Sequence, residues 1–142
     1  MTTTAGISAL DASEWALLRE QVATIQLVLK KRYSATLDQS PKDLDLLQRL
    51  LDDRVYDETD TDAVTAMGAV LGNVLERQHG LKWHAQDDGR GRTFGVYFKG
   101  AKQDVFIAPA RLLRGHMEAG TAFRIADIVK RVKDDVARCK VL

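Results

Sequence analysis

An α+β fold is predicted for this chain, with N-terminal helices, a three-stranded antiparallel β-meander and C-terminal helices packed on one sheet face. Three observations predict it. Apolar residues recur at helical spacing up to His79, the period drops to two between Leu81 and Ile107, and helical spacing returns after Pro109. Residues 1–10 are small and polar and read as a flexible tail ahead of a single domain over 11–142.

The first helix starts near Asp11 or Ser13, both suitable caps. Trp15, Leu18, Val22, Ile25 and Leu29 form its apolar stripe, and Lys30, Lys31 and Arg32 close it near Tyr33, where cations suit the helix dipole. After a polar loop, Ser40-Pro41-Lys42-Asp43 reads as a second start. Ser40 is expected to cap, Pro41 to take the first helical position and Asp43 to complete a capping box. Leu44, Leu47, Leu51 and Val55 follow as its stripe.

A third helix is expected from about Asp62 to His79, with Val64, Met67, Leu71 and Val74 on its core face and Gly80 as its cap. Gly68 and Gly72 share one face of it. Each costs about 1 kcal/mol relative to alanine, which close approach of another element would offset.

Three strands follow. Leu81, Trp83 and Ala85 alternate with polar neighbours. Phe94, Val96 and Phe98 come after a turn at Asp87–Arg92, and Val105 and Ile107 after a turn at Gly100–Gln103. Pro109 opens a short helix to about Met117, and Gly120 breaks it. Thr121 is expected to cap the last helix, whose stripe is Ile125, Ile128, Val132 and Val136.

The segment from Leu71 to Gly120 resembles a bacterial family, domain of unknown function 3806. The shared pattern is Leu71-Gly72 late in a helix, Gly80-Leu81 followed by Trp83, an acidic-glycine turn at Asp88-Gly89, a strand ending in Pro109, and Glu118 two residues before Gly120. Gly115 and His116 stand where members often carry a basic pair. The resemblance implies a fold and carries no activity.

Composition narrows the function classes. With 142 residues, 45% hydrophobic and 29% charged, the chain is neither disordered, collagen-like nor a disulfide miniprotein. No apolar stretch is long enough to span a bilayer. Cys139 is the one cysteine, so no internal disulfide forms. With an N-terminus lacking a basic start and an apolar run, this points to the cytoplasm. The net charge of +1 hides a split. Residues 1–71 hold 7 basic and 12 acidic side chains, net −5, and residues 72–142 hold 14 basic and 8 acidic, net +6.

No catalytic constellation is legible, and no enzyme activity, cofactor or metal is expected. His79, His84 and His116 lack ligand spacing, and the acidic run from Asp52 to Asp62 lacks the glycine and glutamate of a calcium loop. There is no nucleophile elbow or phosphate loop. Cys139 falls on the apolar stripe of the last helix and reads as a core residue.

Two surfaces remain. Gly89-Arg90-Gly91-Arg92 is a hairpin tip, either simply solvated or part of a basic patch with Lys82, Lys99, Lys102, Arg111 and Arg114. On the sheet, His84, Tyr97 and Phe106 point away from the predicted core. Either the first helix covers them or they stand exposed as a contact surface. The expected function is binding of another protein, with an immunity- or antitoxin-like role as one form, through Arg90, Arg92, Tyr97, Phe106 and His84. The alternative is nucleic-acid binding through the basic C-terminal half.

Overall fold

A computed structural model describes residues 6–101, 103–120 and 122–140. The element order is β1 (Ile7–Ser8), α1 (Ala12–Tyr33), α2 (Lys42–Asp52), α3 (Thr61–His79), β2 (Lys82–Asp87), β3 (Arg92–Phe98), β4 (Val105–Ile107), α4 (Pro109–Glu118) and α5 (Ile125–Lys140). The α+β class stands.

The sheet has four antiparallel strands in the order β1-β2-β3-β4, one more than expected. The extra strand lies in the segment read as a tail. Ile7 pairs with Gln86 and Ser8 with Ala85, and Leu10 is buried. Two residues are too few to show an alternating pattern, and the pairing comes from the free edge of β2. Residues 1–5 of the expected tail, Lys102 and Thr121 lie outside the described residues.

Asp11 caps α1 in a complete capping box. It accepts from the Glu14 backbone N–H, and the Glu14 carboxylate accepts from the Asp11 N–H. Leu18, Ile25 and Leu29 are buried as expected, whereas Trp15, at the start of the stripe, is 37% exposed. The capping box expected at α2 does not form. Pro41 occupies the cap position, and the Asp43 carboxylate accepts from the backbone N–H groups of Asp38 and Gln39 at 3.1 and 2.8 Å. Asp43 is thereby buried while tying the α1–α2 loop to α2, and burial raises its pKa. Gln26 of α1 fixes the same loop, donating to the Ala35 carbonyl and accepting from Leu37 N–H.

α3 is the hub. Val64, Met67, Leu71 and Val74 are buried, and so are Ala66, Ala69, Val70 and Leu75 on its other sides. α1, α2, α4, α5 and the inner face of the sheet all pack on it. Its two glycines explain how they fit. A Cβ at Gly68 would stand 2.6 Å from the Ala110 Cα of α4, and one at Gly72 would collide with the Trp83 ring. Trp83 is further held to α3 by two hydrogen bonds of 2.9 Å, from its indole N–H to Asn73 Oδ1 and from its backbone N–H to Glu76 Oε2. Gly80, at φ 73°, ends the helix in the left-handed conformation and turns the chain into β2.

The Gly72→Ala substitution sets a helix-propensity gain of about 1 kcal/mol against overpacking of about 1–3 kcal/mol. The Trp83 ring is pinned by its indole bond and cannot retreat, so overpacking is expected to win. Urea denaturation of Gly72→Ala should show a net loss of stability, and unchanged or higher stability would refute this packing.

Candidate binding surface

β2 and β3 send Trp83, Ala85, Phe94, Val96 and Phe98 to the core side. The alternate positions form the outer face, with Lys82 opposite Tyr97, His84 opposite Gly95, and Tyr97 opposite Phe106 of β4. α1, which one reading laid across this face, packs on α3 instead. His84, Tyr97 and Phe106 are half-buried and lie together. The His84 and Tyr97 rings meet edge-on, their centroids 5.2 Å apart. Phe106 lies over Gly95, where any Cβ would strike its ring. The missing side chain at Gly95 leaves the space that this ring occupies.

Tyr97 is anchored as well as placed. Its hydroxyl donates to Asp104 Oδ2 at 2.7 Å, and Asp104 Oδ1 accepts from Gly100 N–H. Burial and the Asp104 carboxylate push the Tyr97 phenol up to about 12. His84 Nδ1 lies 3.1 Å from the Lys82 carbonyl.

From Gln86 and Phe106 the outer face continues over the sheet edge into a groove of about 820 Å³ between α4 and α5. Ile107, Leu112, Ile128 and Val132 provide apolar lining, and Arg111, His116 and Arg131 add basic groups. Among the described residues the one carboxylate in the lining, Asp135, is paired with Arg138. The groove therefore presents apolar surface beside cations.

The hairpin tip divides the two arginines expected to act together. Arg90 is exposed. Arg92, also exposed, is engaged by its neighbours. Its guanidinium donates to Glu14 at 2.6 and 3.0 Å, to Asp87, to Ser8 Oγ and to the Ala9 carbonyl. It ties the start of α1 and the strand β1 to the β2–β3 hairpin, so Arg92, expected as a contact residue, is also a surface clamp. Sequence spacing could not show this, because Glu14 lies 78 positions away. The groove residue Arg131 and the anchoring Asp104 were also missed. Arg131 sits on a solvated helix face and Asp104 in a loop, where charge carries no signal of its own.

The remaining sequence candidates are accounted for locally. Among the described residues no group of three potential metal ligands occurs. Asp57 and Asp60 serve their own turn, Asp57 accepting from Thr59 and Asp60 from the Asp57 N–H. Cys139 is buried, beside the site a Gly100 Cβ would occupy. No helix of the described residues is long and apolar enough to cross a membrane.

The family model described as Domain of unknown function (DUF3806) matches residues 43–128. No curated protein matches the chain in sequence. A crystal structure from Bacteroides thetaiotaomicron shares the fold, with a TM-score of 0.80 at 18% identity over 91% of this chain. This chain spans about half of that one, 47% of its length.

Two measurements check the local chemistry. The Arg92 guanidinium beside Glu14 holds the Glu14 carboxyl below its ordinary value of 4.5. That stabilisation is complete above about pH 4.5 and is lost as pH falls through the lower folded-state value. Glu14→Gln should therefore melt lower than the unsubstituted protein at neutral pH, with the gap closing in acid. A gap independent of pH would contradict the pairing. In a spectrophotometric titration, Tyr97→Phe should remove the phenol ionising near 12, and an unchanged alkaline limb would place the Asp104 bond in error.

Proposed function

The chain belongs to the Domain of unknown function (DUF3806) family, and on that premise we propose that it is a protein-binding domain. Its docking surface is the outer sheet face with the adjoining α4–α5 groove, and its partner is a protein segment carrying apolar anchors and acidic side chains. The observation that carries this reading is the placement of Phe106. It joins the aromatic cluster of His84 and Tyr97 to a groove whose unpaired charges are cationic. Anchored aromatics lose little side-chain freedom on binding, and arginines at the margin select acidic partners. Arg90 and Arg92 bring further cations to the hairpin tip, in another hollow that Arg111 and one carboxylate, Asp88, also line. An immunity- or antitoxin-like role is one form such binding takes, and the buried Cys139 is compatible with a reducing cytoplasm. The nucleic-acid alternative draws on fewer free cations, since Arg92 is held by carboxylates.

The test compares capture from cell lysate by four proteins, with nuclease and at two salt concentrations: unsubstituted, Phe106→Ala, Tyr97→Ala, and Arg90→Ala with Arg131→Ala. The expected result is one protein retained through nuclease treatment and weakened about tenfold or more by Phe106→Ala. Its binding segment should be acidic, with affinity reduced by the double arginine variant. Capture that disappears with nuclease and falls steeply with salt would replace this reading with nucleic-acid binding. Equal capture by Phe106→Ala and the unsubstituted protein would overturn it.

A further inference from the structure

On the opposite side of α4 from the groove lies another cavity, of about 280 Å³, open to solvent and bordered by α1, α3, β2, β3 and α4. Its walls are mainly apolar and include Leu17, Trp83 and Phe94. Arg111 and Arg114 also line it, three residues apart on one face of α4, and among the described residues no Asp or Glu does. Arg111 donates to Thr93 Oγ1 at 3.2 Å. Arg114 differs. Its Nε is buried and has no hydrogen-bond partner among the described residues. A buried N–H of a cation without an acceptor is costly, and two guanidinium groups beside one apolar pocket with no carboxylate leave positive charge unneutralised.

We propose that this cavity binds a small carboxylate with a compact apolar or aromatic body. The carboxylate would accept from the terminal Nη–H groups of Arg114, with Arg111 as second cation, and the body would lie against Trp83 and Phe94. A planar guanidinium matches a carboxylate in geometry and charge, and the volume sits at the lower end of small-ligand pockets. This cavity lies across α4 from the groove, and Arg111 lines both.

Benzoate is the probe, with benzyl alcohol as its neutral counterpart and inorganic phosphate as an anion without an apolar body. Isothermal titration would be run on the unsubstituted protein, Arg114→Met, Leu17→Trp and Phe106→Ala. Leu17 is 43% exposed at the cavity wall, so its replacement fills space without disturbing the core, and it decides the matter should Arg114→Met fail to fold. Benzoate should bind saturably, at least about tenfold more tightly than either control, because a hydrogen bond to a charged group and the buried ring each add to affinity. Arg114→Met and Leu17→Trp should each weaken it by about tenfold or more, and Phe106→Ala should leave it unchanged. No saturable benzoate binding, equal binding of phosphate, or benzoate affinity unaffected by Leu17→Trp would overturn the proposal.

Discussion

The docking of Trp83 onto α3 is the constraint on which the rest of this structure depends. Gly72 opens space for the indole ring, Asn73 takes its N–H, and Glu76 takes the backbone N–H that begins the strand. One residue thereby joins the central helix to the sheet in position and in angle. Because Gly80 turns the chain between them in a left-handed conformation, α3 and β2 are covalently close as well as packed. The inner face of the sheet follows, since period-two geometry then sends Ala85 toward the helix and His84 away from it. Gly68 does the same service for α4, letting Ala110 approach the helix backbone.

The two candidate sites are consequences of that arrangement. α3 covers one face of the sheet, and α1 packs on α3 instead of crossing to the other. The outer face is left to Tyr97 and Phe106, each seated by a specific partner, Asp104 in one case and the space over Gly95 in the other. α4 follows β4 directly and divides the molecule's basic surface. Leu112, Gly115 and His116 look into the wide groove, while Ala110 and Arg114 look into the narrow cavity. Arg111 stands at the junction and lines both.

Charge works differently from composition in this fold. The sequence divides into an acidic and a basic half, yet the most extensive ionic contact among the described residues joins the two. Arg92 from the basic half grips Glu14 from the acidic half and adds the carbonyl of Ala9 and the hydroxyl of Ser8. That contact holds β1 on the sheet, the strand that sequence reading took for a tail. An arginine in a glycine-rich turn looks the same in sequence whether it faces solvent or a carboxylate. Arg90 and Arg92, two positions apart, take the two different fates.

What the sequence by itself determined was carried by short-range physics. The stripes of α3 and α5, the Asp11 cap, the Gly80 stop, the Pro109 start and the two-residue period of β2 to β4 all depend on neighbours within a few positions, and all are seen in the structure. The stripe expected for α2 is seen only in part, since the helix ends at Asp52, before Val55, and buries Leu50 beside Leu47. The burial of Cys139 followed from the same periodicity. Tertiary structure alone decided the fates of residues whose partners lie far along the chain: β1 on its edge, Asp43 beneath a loop instead of at a helix cap, Arg92 on Glu14, and Arg114 at a cavity wall. A backbone N–H, a carboxylate and a guanidinium each bind whatever acceptor or donor the packing brings within 3 Å or so, and packing is set by the whole core at once. The periodicity of one segment contains no record of which distant segment will stand opposite it.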